Sequence, residues 1–252
     1  MKTLFLFDVD GTIVESGQKI TKEMSTSLTN LQKKKNVEIG IVGGGKLNKI
    51  IEQMDNQIFF NHYFTECGCV YHTNDNTDNN TILTSIYTKN IRDHKLYTPI
   101  NTLIKYCLKY LSNVDYTITG HFIDLRNGII YVSLIGLAAS QEERAIFIEL
   151  DKHNHYRTHL LDCLKFLATS LGIVNQVAIV EGGLVGIAIY PSEWDKIQIL
   201  DYFHADKYEK IYYFGDKYEP NGNDYLMLNH TKVKGFPVNQ YQDTIQILKQ
   251  FL

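Results

Sequence analysis

Two carboxylates two residues apart, Asp8 and Asp10, sit in Asp8-Val9-Asp10-Gly11-Thr12, directly behind the apolar run at residues 3–7. That puts them at the carboxyl end of a strand, where open α/β sheets bind ligands. One carboxylate can attack a phosphoryl group and form an aspartyl-phosphate. The other can protonate the leaving oxygen and later activate the incoming one. Close like charges resist joint ionisation, so Asp10 is expected to have a raised pKa and to carry the proton. A divalent cation alongside would let Asp8 stay ionised. A second acidic strand end, Phe214-Gly215-Asp216, runs on to Gly222-Asn223-Asp224 and offers further oxygen ligands for Mg²⁺. Lys196, near the start of an expected helix, can neutralise a transferring phosphoryl oxygen and hold Asp8 ionised. Gly43-Gly44-Gly45, behind the second apolar strand, offers backbone amides to a phosphate at a helix start.

The elements that must position these residues read in two styles. Apolar strands at 3–7 and 37–42 alternate with helices at 22–33 and 48–54, the pattern of a parallel α/β sheet. The middle of the chain differs. The polar stretch TNDNTDNN at 73–80 reads as a hairpin tip, and 99–111 as an amphipathic helix. Segments 116–125 and 128–135 read as strands paired around Arg126-Asn127-Gly128. Helices at 141–150 and 156–171 and strands at 177–180 and 184–190 complete an antiparallel α+β region. The first style then returns, with a helix at 194–204, a strand at 210–214 and helices from 225 and 244. The expected fold is α/β, a Rossmann-like parallel-sheet core from 1–84 plus 189–252 with an inserted α+β cap at 85–188.

Composition narrows the function class. The 252 residues are 44% hydrophobic and 21% charged, which is globular and excludes a disordered chain. A net charge of −3 argues against a dedicated nucleic-acid binder, so no nucleic-acid partner is expected. An anionic substrate would need a local positive pocket. The N-terminal segment lacks the longer apolar stretch and small-residue cleavage site of a signal peptide. No apolar run approaches the roughly 18 residues of a membrane span. A soluble, cytoplasmic protein without a membrane partner is expected. The four cysteines form no CxxC pair and read as buried or incidental thiols.

The acidic strand ends, the lysine and the Gly loop, in this order, resemble the haloacid dehalogenase superfamily of phosphotransferases. FDVDGT at 7–12, QKITKEM at 18–24, VGGG at 42–45, YCLKYL at 106–111, FIDLRNG at 122–128, SQEER at 140–144, ELDK at 149–152, YPSEWDK at 190–196 and FGDKYEPNGND at 214–224 resemble eukaryotic phosphomannomutase nearly end to end. The resemblance implies Asp8 as nucleophile, Asp10 as acid/base and Lys196 in the catalytic set. It implies Mg²⁺ at Asp8, at Asp10 through its backbone carbonyl, and at Asp216, with Asp224 as the further acid. It also implies a phosphosugar gripped by Arg126 and Arg144 in the cap and by Gly44 and Gly45, and a homodimer formed through the cap. The implied reaction interconverts mannose 6-phosphate and mannose 1-phosphate through a hexose bisphosphate, with hexose 1,6-bisphosphate as activator.

The sequence departs from that family in the cap. An arginine expected just before QKIT is Gly17, and another is Leu137; a serine and an aspartate are Gly186 and Ala188. The serine of the Gly loop is Gly45, and an acid of the ion-binding loop is His230. A charge-assisted contact to phosphate is worth roughly 1.5–3 kcal/mol, so two lost arginines would weaken a bound ester by about two orders of magnitude. His121 and Lys152 are nearby residues that could compensate. With the Asp8/Asp10 pair intact, a sugar-phosphate phosphatase of altered specificity is the alternative enzyme. A non-catalytic binding or structural member is the third reading, and it would have no need of both carboxylates.

Overall fold

The apolar run before Asp8 forms strand β1 (Lys2–Phe7). Leu4 and Leu6 pack into one cluster and Phe5 and Phe7 into another, all of them buried. A strand covered on both faces needs an unbroken apolar run rather than alternation, which is what TLFLF supplies. The chain continues through α1 (Lys22–Gln32), β2 (Val37–Val42), α2 (Leu47–Met54), β3 (His62–Thr65), β4 (Val70–Thr77) and β5 (Asn80–Thr88). Next come α3 (Tyr97–Leu111), β6 (Ile123–Leu125), β7 (Ile130–Ser133), α4 (Gln141–Asn154), α5 (Tyr156–Ser170), β8 (Val177–Gly182) and β9 (Gly186–Pro191). A 3₁₀ helix over Lys196–Tyr202 leads to β10 (Tyr208–Gly215), α6 (Tyr225–Leu228), β11 (Lys234–Pro237) and α7 (Tyr241–Leu248). This computed structural model describes residues 1–77, 80–203, 207–220 and 222–252.

The chain divides into two compact units, Met1–Lys89 with Trp194–Leu252, and Asn90–Glu193. The first holds a seven-stranded sheet in the order β11-β10-β1-β2-β3-β4-β5. β11, β10, β1, β2 and β3 are parallel, and β4 and β5 close the edge antiparallel. From β1 the chain moves outward to β2 and β3, and it returns through β10 on the other side of β1. The carboxyl end of β1 is therefore a topological switch point. The second unit is an antiparallel sheet, β6-β7-β9-β8, with helices.

Several expectations need correction. The unit boundaries each move by five residues, from 84 to 89 and from 188 to 193. β5 continues to Thr88 against β4, and β9 runs to Pro191 against β8. The helix expected at 194–204 is instead a 3₁₀ helix over Lys196–Tyr202, with Asp195 as its N-cap. Three residues per turn bring the fully buried Lys196 and Ile199 onto one side. His204 lies outside the described residues. In the Asn-rich stretch, residues 73–77 are strand and not turn. The expected tip falls at 78–79, outside the described residues.

Helix signals in the sequence work as capping physics requires. Thr21 accepts from the Met24 amide at 3.3 Å to start α1, whose Met24, Leu28 and Leu31 are buried. Ser140 and Glu143 form a reciprocal capping box at the start of α4. Among the described residues, no helix is long and apolar enough to cross a membrane. All four cysteines are free, and burial pushes the Cys69 and Cys107 thiols up to about 12.

Near the amino ends of the parallel strands, His62 of β3 joins Glu38 of β2. His62 Nε2 lies 2.9 Å from Glu38 Oε2, and Nδ1 lies 2.9 Å from the Tyr71 hydroxyl. The partners suit a neutral ring with Nε2–H donating to Glu38 and Nδ1 accepting from Tyr71. Burial lowers the His62 pKa. The Glu38 pKa is lowered despite its burial, because His62, Lys2 and Tyr208 all donate to its carboxylate. Unfolding therefore takes up protons, so stability falls as pH drops below the ordinary histidine value, and further below the ordinary glutamate value. Thermal denaturation at pH 7.5 and 5.5 should show that wild type loses more Tm, relative to His62→Gln, on going to pH 5.5. An equal loss in both proteins would refute this origin.

Candidate active site

Asp8 follows β1 directly, and its backbone amide donates to Phe214 of β10 at 2.9 Å. Its carboxylate is buried, and Lys196 Nζ donates to its Oδ1 at 2.6 Å. The same ammonium donates to Asp224 Oδ1 at 2.7 Å. Lys196 and Asp224 are both fully buried. Asp224 accepts from further donors as well: the Tyr213 hydroxyl bonds to Oδ1, and the Lys217 amide donates to Oδ2 at 3.0 Å. Asp216, at the end of β10, completes the group. One carboxylate oxygen from each of Asp8, Asp216 and Asp224 lies within 4.8 Å of the others.

Gly11 explains why the acidic turn contains glycine. Its φ is +85°, and a Cβ there would stand 2.6 Å from Asp216 Oδ2. Any side chain would be strained and would also push Asp216 away from Asp8.

Three acids around one buried ammonium leave an excess of negative charge. Burial pushes the Asp8 carboxyl up to about 8, against the pull of Lys196, with Asp224 and Asp216 adding to the rise. Asp216 Oδ1 is buried and has no hydrogen-bond partner among the described residues, while Oδ2 pairs with Lys217 Nζ at 3.0 Å. A hard divalent cation suits this set of oxygens, because it would satisfy the orphaned Asp216 oxygen and offset the surplus charge. Asp8 and Asp216 have the oxygens best able to bind it. Asp224 acts as the counter-ion that anchors Lys196.

Asp10 is arranged differently from the expectation. Its side chain is not part of the carboxylate group: Oδ1 accepts from the Gly17 amide and from Gln53 Nε2, both at 2.9 Å. The acids that raise a carboxyl pKa at this strand end act on Asp8, and they are Asp224 and Asp216 rather than Asp10. Gln53 and Tyr213 also belong to the site, outside the motifs of the sequence. Gln53 carries a signal in hindsight, as a polar residue on the buried face of α2 beside Ile50 and Met54. Tyr213 lies in KIYYF and carries no such signal.

Gly44 and Gly45 precede α2, as expected. The loop is pinned from behind by amides of the next turn, Glu66 N to Gly45 O at 3.2 Å and Cys67 N to Gly43 O at 3.0 Å. The Gly43 amide is itself used by Phe64 O at 2.9 Å. His230 accepts from the Lys232 amide at 3.2 Å.

In the second unit, Arg126 Nε donates to Asp124 Oδ2 at 2.8 Å, and its guanidinium lies 5.1 Å from the Tyr131 ring centre. Arg144, in the first turn of α4, donates from Nε to Ala139 O and from Nη2 to Leu137 O, both at 3.0 Å. Arg144 therefore also ties down the loop that carries Leu137. Lys152 is paired with Glu149 at 2.6 Å, both exposed, and His121 is exposed with its carbonyl accepting from the Leu137 amide at 3.1 Å.

A family profile described as eukaryotic phosphomannomutase matches residues 24–252. Phosphomannomutase of Encephalitozoon cuniculi is 34% identical over all of this chain and 94% of its own length. Phosphomannomutase 1 of Dictyostelium discoideum is 34% identical over 98% and 96%, and human phosphomannomutase 1 is 32% identical over 97% and 90%. Among solved structures, the C-terminal domain of Candida albicans trehalose-6-phosphate phosphatase aligns with a TM-score of 0.63 at 13% identity, covering 99% of this chain and 92% of that one. IMP-bound IMP-nucleotidase of Plasmodium falciparum aligns with a TM-score of 0.64 at 15% identity, covering 100% and 68%. These two establish likeness of fold alone.

Proposed function

Because the chain belongs to the eukaryotic phosphomannomutase family, we propose that it is a phosphotransferase that interconverts mannose 6-phosphate and mannose 1-phosphate. The observation that carries this reading is the buried Asp8–Lys196–Asp224 chain at the end of β1. Lys196 holds one oxygen of Asp8 and so directs the other. That oxygen attacks a phosphorus of the hexose bisphosphate, the bond from phosphorus to the sugar oxygen breaks, and Asp10 gives its proton to the leaving alkoxide, which departs as a hexose monophosphate. In the return step Asp10 takes the proton of the free hydroxyl of a bound hexose monophosphate, and the phosphoryl group leaves Asp8 for that oxygen, giving the hexose bisphosphate. Gln53 and the Gly17 amide hold one Asp10 oxygen, leaving the other for proton transfer. Mg²⁺ bound at Asp8 and Asp216 would offset charge on the phosphoryl oxygens. A hexose 1,6-bisphosphate would phosphorylate Asp8 at the start of the cycle. Arg126 and Arg144 would receive the distal phosphate.

The phosphatase reading has one observation in its favour. Leu137, Gly186 and Ala188 leave fewer side-chain donors for a sugar phosphate that must turn over without escaping. Both readings are tested by incubating the protein with mannose 1-phosphate, Mg²⁺ and a hexose bisphosphate, while following mannose 6-phosphate and free phosphate. Mannose 6-phosphate formation that stops on chelation is expected. Free phosphate without the isomer would favour the phosphatase. Homodimerisation through the second unit belongs to the same reading and is supported by exposed Leu108, Ile146 and Phe166 on its helices.

A further inference from the structure

The four-stranded sheet has two unlike faces. Ile130, Val132, Ile187, Ile189 and Ile179 are buried on one face. On the other, cross-strand register aligns Asp124, Tyr131, Ala188 and Val180. Tyr131 is neither buried nor fully exposed. Its ring occupies the space above the glycines of β8 and β9: a Cβ on Gly186 would stand 2.5 Å from the Tyr131 hydroxyl and 2.6 Å from Cζ, and one on Gly182 would stand 3.0 Å from Cε2. The same Gly186 Cβ would meet Val132 O at 2.4 Å. No side chain fits at Gly186, and the polar group that stands in that space comes from Tyr131.

Its surroundings are cationic. The Arg126 guanidinium lies over the ring, and the charges of Arg126, Arg144 and Arg157 all act on the phenol. Arg126 is offset by Asp124, and Arg157 by Asp151 and Glu181. Arg144 has carbonyl partners instead, so its charge remains uncompensated by an ion pair among the described residues. Burial raises the Tyr131 pKa despite the arginines, so the phenol keeps its proton and can donate it. Ser133, opposite Gly186 in the register, is fully buried with a hydroxyl that has no partner among the described residues.

We propose that Tyr131 is a specificity-determining residue, its hydroxyl donating a hydrogen bond to a phosphoryl oxygen of the bound phosphosugar beside Arg126 and Arg144. The inference rests on the mannose-phosphate reading above. It supplies a donor where the sequence shows only Gly186, Ala188 and Leu137. The variant Tyr131→Phe keeps the ring over the glycines and removes only the donor. Its KM for mannose 1-phosphate should rise about tenfold with kcat within about twofold of wild type. The ratio of kcat/KM for mannose 1-phosphate to that for p-nitrophenyl phosphate should fall by the same factor, at an unchanged Tm. An unchanged ratio overturns the inference alone, as does an equal loss on both substrates with a lowered Tm. A wild-type protein that hydrolyses p-nitrophenyl phosphate but converts no mannose phosphate overturns the functional reading, and this role with it.

Discussion

Asp8→Asn should lower turnover of a hexose phosphate by roughly 10⁴-fold or more, the scale on which a catalytic nucleophile is lost. Asparagine keeps the size of the side chain and can still accept from Lys196, so the fold around it is retained. It cannot carry the phosphoryl group. The stability effect has the opposite direction. Burial raises the Asp8 carboxyl to about 8, above its ordinary value of 3.8, so the folded protein holds a proton that the unfolded chain releases. In cation-free protein this contribution to stability is complete at low pH and is lost as pH rises from about 4 through 8. Asp8→Asn lacks that loss. In the presence of a chelator at pH 8, its Tm should match or exceed that of wild type. Acid-quench trapping of phosphorylated protein, paired with Tm in chelator, checks both halves. Retained turnover or a trapped phosphoryl group in the variant would exclude Asp8 as nucleophile.

Lys196→Met should destabilise the protein by roughly 3–5 kcal/mol, the cost of breaking a buried pair by removing one partner. Lys196 is fully buried, and methionine can occupy much of its volume, so packing alone would make a small effect. The large term is electrostatic. Burial opposes the Lys196 charge, yet Asp224 and Asp8 outweigh it and hold its pKa well above the ordinary lysine value. Without it, Asp8 and Asp224 face each other and Asp216 with no ammonium between them. Denaturant unfolding in chelator should show the loss at pH 8, and the gap to wild type should narrow as pH falls and the acids take up protons. Adding Asp224→Asn to Lys196→Met should recover part of it. A single variant within about 1 kcal/mol of wild type would show that the pair contributes only as much as an exposed one.

Much of the scaffold was legible because it is encoded locally. An apolar run followed by acids announces a strand end, whether at Asp8 or Asp216. Ser140 with Glu143 announces a helix start, and Asn127-Gly128 lies in the connection between β6 and β7. These signals act over a few residues, through caps, turns and periodicity, so they can be read without the fold. The division into a sheet built from both chain ends and an antiparallel insert follows from the same signals taken in order.

The chemistry of individual groups was decided elsewhere. Lys196 meets Asp8 across 188 positions and Asp224 across 28, and those contacts turn an ordinary-looking lysine into a buried counter-ion. Asp10 was expected to share its charge problem with Asp8, but Gly17 and Gln53 engage its carboxylate, and Asp216 and Asp224 take its place beside Asp8. Gly186 looks like a lost polar contact until the Tyr131 ring is seen above it. Which residues stand at strand ends and which segments are strands can be read from the chain order, because backbone periodicity and capping are short-range. Which of those residues share a charge, a proton or a space depends on the folded arrangement. Burial and Coulomb interaction depend on separation in space, and chain order does not specify it.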